Sequence, residues 1–422
     1  MQLLKWGTIA SVLYTWAVAA PAVEVTISCG ATDQERELCE QAATAWAAQS
    51  GHQVTVVPGP ERTNERYTQY LIDLGDEKAN IDVYQIDVIW PGLLARFFLD
   101  LRDYLDEEVI AQHHPAIVAN NTVDGRLVGM PWYTDLGLLF YRKDLLAQYG
   151  QAIPKDWSEM ADVGLFVQAE ERKAGNQDMW GFVFQGAAYE GLTCNALEWI
   201  DAYGGGTVVN ADGDITIDNP YAVLAIARAA SWVGTIAPPR VTSFNEEDAR
   251  ITFQLGNAVF MRNWPYVWSP LNAADSLVAG KVDVAPLPKG GPGGKSSSTL
   301  GGWQLAVSKT SKHPEEAAEL VQYMTSMAMQ KQHAISGAYL PTIMALYEDP
   351  EVLEANPFFS KIKPILEHAV ARPSAYTGDK YIAVTTHFWE AVHDVLQGNA
   401  SAADSLSALN DQLRLIKGRE GW

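Results

Sequence analysis

Apolar positions along the chain switch repeatedly between a two-residue and a three-to-four-residue period. Val23 to Ser28 alternates and is rich in β-branched residues, which predicts a strand ended by Gly30. From Asp33 to Gln49 the period becomes helical, with Leu38, Ala42, Ala45 and Trp46 on one face and Gly51 beyond the end. Gln53 to Val57 is the next strand, and Thr63 to Leu74 the next helix, aligning Tyr67, Tyr70, Leu71 and Leu74. Asp82 to Ile89 reads as a third strand, after which Pro91 opens a short helix. Strand and helix thus alternate from the start, the signature of an α/β layer around a parallel sheet.

The middle of the chain is less regular. Leu136 to Tyr141 reads as one buried strand, followed by helices at Lys143 to Tyr149 and Trp157 to Ala174 and a strand at Trp180 to Phe184. Asn219-Pro220 caps and opens a helix to Val233. A helix at Asn245 to Leu255 and strands at Asn257 to Arg262 and Trp303 to Ser308 follow. One long helix is expected from Pro314 to Ala334, with Met324 to Met329 facing a core, and the tail beyond Asp349 reads as helical. No repeat or low-complexity linker separates two halves, so two lobes would be joined by several short crossings. A length of 422 residues exceeds one ordinary core and supports that division.

Composition narrows the function. The 51 acidic and 30 basic residues give a net charge of −21, which repels phosphate backbones and anionic lipid heads and argues against nucleic-acid binding. Fourteen Trp and seventeen Tyr offer planar rings that suit carbohydrate faces, although Trp90 and Trp132 read as packing residues. At the N-terminus, Lys5 precedes an apolar run from Trp6 to Val18, and both Ala17-Val-Ala19 and Ala20-Pro-Ala22 fit a cleavage site. Residues 1–22 are therefore expected to be a signal peptide, and the mature protein to be exported to the periplasm or otherwise outside the cytoplasm. Of three cysteines, Cys29 and Cys39 either pair in that oxidising compartment or stand with Cys194 as buried thiols.

Catalytic and cofactor motifs are sparse. The run Gly290-Gly-Pro-Gly-Gly-Lys-Ser296 fails as a phosphate loop because Lys289 occupies the position of its first glycine. There is no His-Glu-x-x-His, no Cys-x-x-Cys and no Gly-x-Ser-x-Gly in the sequence, so neither metal nor cofactor is expected. Plentiful carboxylates leave an exported glycoside hydrolase as an alternative. Four polar-aromatic clusters stand out: Gln85-Ile-Asp-Val-Ile-Trp-Pro91, Met130-Pro-Trp-Tyr-Thr-Asp-Leu-Gly137, Met261-Arg-Asn-Trp-Pro-Tyr-Val-Trp268 and Thr299-Leu-Gly-Gly-Trp-Gln304. Each places a carboxylate or an aromatic ring where a strand gives way to a loop, the end at which open α/β sheets bind ligands.

Together with Tyr141-Arg-Lys-Asp144, Asp283-Val-Ala-Pro-Leu-Pro288 and Gly337-Ala-Tyr-Leu-Pro341, these clusters resemble the bacterial extracellular solute-binding proteins of family 1, the maltose-binding-protein-like sugar receptors of ABC importers. Asn263-Trp-Pro-Tyr266, Leu300-Gly-Gly-Trp303 and Tyr189-Glu-Gly-Leu192 are similar to the trehalose/maltose-binding branch, and the likeness runs from Val25 to the C-terminal helices. The resemblance implies an α/β, two-lobed periplasmic-binding-protein fold of type II. Its N-terminal lobe would comprise 23–132 and 283–325 and its C-terminal lobe 135–282 and 326–422, with the sugar in the cleft.

The same resemblance implies a non-enzymatic receptor, acting as a monomer, that hands its sugar to the transmembrane permease subunits. Glu35, or Glu37 in the alternative register, would accept bonds from sugar hydroxyls. Thr63 and Arg66 would reach in from the second helix, and Asp87 would hold two adjacent hydroxyls. Tyr133 and Asp135 would sit at the first crossing, and Trp264, Tyr266 and Trp303 would present ring faces. Gly301 and Gly302 would let backbone approach the ligand, and Arg372 would come from the C-terminal region. Beyond Arg372, Ser374-Ala-Tyr376 departs from the richer aromatic run of the branch. Trehalose, maltose, sucrose, glucosylglycerol and longer glucans all remain open as ligands, as does a sugar-sensing module unconnected with transport.

Overall fold

Two mixed sheets organise the computed structural model, which describes residues 21–76, 80–291, 293–366, 369–419 and 421–422. Residues 1–20 of the expected signal peptide lie outside the described residues. The strands are β1 (Glu24–Ser28), β2 (Gln53–Val57), β3 (Val83–Asp87), β4 (Thr122–Val123), β5 (Arg126–Leu127), β6 (Met130–Leu136), β7 (Leu138–Arg142), β8 (Trp180–Val183), β9 (Ala258–Asn263), β10 (Val282–Ala285) and β11 (Leu300–Val307). The first sheet has the order β2-β1-β3-β11-β6 and the second β10-β7-β9-β8, while β4 and β5 form a small separate hairpin. β1 pairs in parallel with β2 and β3, and β11 runs antiparallel to both β3 and β6.

The first sheet is covered on both faces, as buried parallel strands require. Val25, Ile27, Leu305 and Val307 share one core cluster with Leu38, Ala42 and Trp46 of the helix Asp33–Ser50. Tyr84 and Ile86 face the other way, toward Tyr70 and Leu74 of the helix Thr63–Gly75 and toward Trp90. The second sheet anchors a larger core joined by the helices Trp157–Lys173, Glu190–Ala202, Pro220–Trp232, Tyr381–Leu396 and Ala402–Lys417. Trp90 and Trp132 are buried, as expected of packing residues. Among the described residues no helix is long and apolar enough to cross a membrane.

Three elements differ from expectation, each for a local reason. The strand expected over Leu136 to Tyr141 is two strands in different sheets, joined at Gly137. A Cβ there would lie 1.9 Å from Glu198 Oε1, so glycine lets the chain pass the buried Glu198–Arg262 ion pair. The helix expected from Pro314 to Ala334 breaks at Ser326, which is extended and whose hydroxyl accepts from Met329 N, making it the N-cap of a second helix, Met327–Gly337. That break turns Met327 outward, 42% exposed, while Met324 and Met329 stay in the core. Finally, β10 pairs with β7, so the chain leaves the second sheet after Ala285 and re-enters the first at Leu300. The boundary expected at 283 falls inside that strand, whose Val282 and Val284 pack into the larger core.

Candidate functional site

Three neighbouring strands of the first sheet set out the polar and aromatic groups. In the β3–β11 pairing Trp303 stands opposite Asp87, and in the β11–β6 pairing Trp303 stands opposite Tyr133 and Gly301 opposite Asp135. A bulge between Trp303 and Gln304 shifts that second register, and Gly302, at φ +131°, sits with its Cα edge against the Tyr133 carbonyl. The helix Asp33–Ser50, capped by the Thr32 hydroxyl, supplies Glu35 from its first turn. The helix Thr63–Gly75 supplies Thr63 and Arg66, and the turn that follows β9 supplies Trp264 and Tyr266.

These residues line one cavity between the two sheets, a space of about 760 Å³ counting the part open to solvent. Glu35, Thr63, Arg66, Asp87, Tyr133, Asp135, Trp264, Tyr266, Gly301, Gly302, Trp303 and Arg372 all reach it. Glu37 does not, which places the first acidic group at Glu35. Sequence reasoning missed Ala31, Thr32, Glu61, Glu190, Gly191, Cys194, Glu246 and Tyr339, which complete the walls. Glu190 and Tyr339 belong to strings that carried the family resemblance, so a signal for them was present; nothing in the sequence marks Glu61 or Glu246.

The charged groups form paired chains. Arg372 donates from Nη2 to Asp87 Oδ1 at 2.8 Å and from Nη1 to Glu190 Oε1 at 3.1 Å. Glu190 also accepts from the Tyr381 hydroxyl at 2.5 Å and the Thr385 hydroxyl at 2.7 Å, and burial raises its pKa above the ordinary carboxylate value. Glu35 accepts from Ala31 N at 2.7 Å, Gln85 Nε2 at 2.5 Å and the Tyr133 hydroxyl at 2.5 Å. A carboxylate has about four lone-pair sites, so roughly one remains on Glu35 for a solute. Glu35 is thus first a hub that ties the loop after β1 to β3 and β6.

The aromatic rings are held by cations. The Arg66 guanidinium, 1% exposed, lies 4.4 Å from the Trp303 ring and donates from Nε to the Pro60 carbonyl at 3.0 Å, leaving Nη1 without a partner. Arg262 lies 3.8 Å from the Trp264 ring and is itself fixed by Glu198, which accepts at 2.8 and 2.5 Å. The Trp264 indole donates to Glu246 at 3.3 Å and the Tyr266 hydroxyl to Glu247 at 2.7 Å. Trp303 and Trp264 therefore each carry a cation on the ring, and the polar edges of Trp264 and Tyr266 are committed, an arrangement suited to stacking on an apolar surface.

Polar links cross the cleft at its mouth. Gln34 donates to the Ser269 hydroxyl at 2.8 Å and Asn245 to Glu61 at 3.1 Å. Burial, followed by repulsion from Glu247, Glu246 and Asp248, raises the pKa of Glu61. Among the described residues no group of three His, Cys, Asp or Glu side chains is placed to hold a metal ion.

Known proteins share this architecture. The model of the bacterial extracellular solute-binding proteins matches residues 32–331. A probable ABC transporter-binding protein of Deinococcus radiodurans is 46% identical over 413 residues, 98% of each chain. The maltodextrin-binding protein MdxE of Bacillus subtilis is 26% identical over 304 residues, covering 70% of this chain and 67% of its own. Among solved structures, maltose-bound MalE3 of T. maritima is 36% identical, with a TM-score of 0.88 over 94% of this chain and 100% of that one. With a family match across most of its length and a near full-length relative, the chain belongs to the bacterial extracellular solute-binding proteins, the family that provides ABC transporters with their receptors.

Proposed function

We propose that this protein captures a di- or oligosaccharide, an α-glucoside of the maltose or trehalose type, and delivers it unaltered to the permease of an ABC importer outside the cytoplasm. The observation that carries this reading is the convergence of two fixed indole faces, Trp264 and Trp303, with the Asp87–Arg372–Glu190 chain around one enclosed space. A pyranose has an apolar C–H face and a polar rim. The rings bury the face, while carboxylate and guanidinium groups keep the rim hydrogen-bonded once water has left, which charge-assisted bonds do best. Gly301 and Gly302 leave backbone open to the solute between them. The maltose in the MalE3 structure and the maltodextrin named for MdxE support the choice of sugar class. Capture without chemistry fits Asp87, whose Oδ1 is already committed as the acceptor of the Arg372 guanidinium.

Isothermal titration of the mature protein with maltose, trehalose, sucrose, glucosylglycerol and maltotriose tests the reading. Saturable binding of at least one, with the sugar recovered intact after long incubation, is expected. No heat from any of them overturns it. Glucose released in excess over protein, and abolished by Asp87→Asn, replaces the receptor with a hydrolase.

A further inference from the structure

Asp135 differs from every other carboxyl in the cavity. It lies on β6, 7% exposed, and its Oδ1 is buried without a hydrogen-bond partner. Glu35, Asp87 and Glu190 each accept from two or more groups, and Glu246 accepts from Tyr189 and Trp264. Among the described residues no cation forms an ion pair with Asp135. Arg372 is shared between Asp87 and Glu190, Arg66 lies against Glu35 and the Trp303 ring, and Arg262 is neutralised by Glu198.

The groups facing Asp135 come from every element packed around it. They are the acids Glu35 on the helix Asp33–Ser50, Asp87 on β3 and Glu246 on the helix Glu246–Gln254, with Arg262 on β9 as the cation that opposes them; Arg66 and Arg372 line the same cavity. The phenols of Tyr133, Tyr339 and Tyr347 complete the set. Across the strand pairing stands Gly301, where a Cβ would lie 3.0 Å from Asp135 Cβ, so the space above the carboxyl is open to the cavity because glycine occupies that position.

We propose that Asp135 meets the solute as a neutral carboxyl, donating one hydrogen bond to an acceptor oxygen of the sugar, so that capture of a neutral sugar takes up a proton. A buried carboxylate whose Oδ1 has no donor and which has no ion-pair partner, beside three other acids, is costly to keep charged; adding a proton removes the charge and creates a donor. Burial, and after it repulsion from Glu35 and Asp87, raises the Asp135 pKa well above the ordinary carboxylate value. When the cleft opens, water reaches the group and it ionises; when the cleft closes on a sugar, a proton from solvent returns. The closed, loaded form therefore binds more protons than the open one. Affinity is greatest at low pH and declines as pH rises toward the closed-form pKa. A neutral Asp135 would also read a ring or glycosidic oxygen, which has no proton to offer the acceptor carboxylates around it.

This inference rests on the sugar-receptor reading, and its test separates the two. Maltose and trehalose are titrated into the mature protein in buffers of differing ionisation enthalpy, from about pH 5.5 to about pH 7.5. Uptake approaching one proton per sugar is expected, with Kd rising several-fold per pH unit. Asp135→Asn, an isostere that keeps a donor and cannot ionise, should bind within about threefold of the parent at the acid end, with no uptake and a flat profile. Zero uptake and a flat profile in the parent overturn the proposal while leaving the receptor standing. So does a variant about tenfold weaker at the acid end, which would make Asp135 an ionised acceptor. Uptake that persists in Asp135→Asn assigns the proton to another raised carboxyl of the cavity, Glu61 or Glu190, and likewise overturns it. Absence of binding by either sugar and by the wider panel defeats both readings.

Discussion

Trp303 stands directly opposite Asp87 across the β11–β3 pairing, and the Arg66 guanidinium lies 4.4 Å from the same indole ring. One strand register thus fixes a ring face, an acceptor and a donor relative to one another. Asp87→Asn exchanges a charged acceptor for an amide and leaves Arg372 only Glu190 as an ionic partner. We expect sugar affinity to fall by about 2–4 kcal/mol, read by calorimetry, with the thermal midpoint little changed. An unaltered Kd would remove Asp87 from the site.

The two glycines of β11 should fail in different ways. Gly302 has φ +131°, and a Cβ there would lie 2.6 Å from the Tyr133 carbonyl oxygen, so Gly302→Ala forces the backbone of two strands apart. A loss of stability above about 2 kcal/mol is expected in denaturant melts. At Gly301 a Cβ would meet Asp135 Cβ at 3.0 Å and the Trp264 ring at 3.3 Å, side-chain atoms that line the cavity. Gly301→Ala should therefore keep most of its stability and lose affinity. Equal melting loss in both variants would contradict this division.

Cys29 and Cys39 are bridged, which ties the end of β1 to the helix carrying Glu35. Cys194 is buried at the cavity wall, and burial pushes its thiol up to about 12. Alkylation of the denatured, unreduced protein should label one thiol, and the native protein none. The bridge closes a short loop, so Cys29→Ser with Cys39→Ser should destabilise the fold by about 2–3 kcal/mol. Three labelled thiols would exclude it.

Stability should depend on two buried histidines. His113 accepts or donates at the Thr342 hydroxyl, 2.8 Å away, and His333 packs on Trp132; burial pushes both pKa values down to about 4. Both rings are neutral in the fold, whereas in the unfolded chain they ionise near an ordinary value of about 6.5. Their stabilising effect is complete above that value and is lost as pH falls toward the folded pKa, by up to ~1.4 kcal/mol per unit for each ring. Urea midpoints at neutral and acid pH, compared with those of His333→Gln, check this; a slope unchanged in the variant would count against it.

Much of this architecture was legible from periodicity. The helices Asp33–Ser50, Thr63–Gly75, Trp157–Lys173 and Glu246–Gln254 lie within a residue or two of the expected bounds, because each has one wet face. The helix Glu190–Ala202 gave no such signal, since all thirteen of its residues are buried, including the polar Glu190, Thr193, Asn195, Glu198 and Asp201, and it has no wet face. Met130–Leu136 read as a cluster at a loop edge, yet it is a strand buried along its whole length, from which Tyr133 and Asp135 reach the cleft. Resemblance supplied the twelve site residues that periodicity alone does not mark. Glu61 and Glu246 stayed hidden because their importance arises only where two distant segments face each other across the mouth.

Arg372 joins Asp87 on the first sheet to Glu190 on a helix of the larger core, and Gln34–Ser269 and Glu61–Asn245 span the same divide. All three links must part before the halves separate. The two links at the mouth are exchanged for water at little expense. When Asp87 lets go, Arg372 keeps Glu190, so the guanidinium is never stranded. A cation with a reserve partner makes the grip firm while it lasts and cheap to release, which is what a carrier that must surrender its cargo requires.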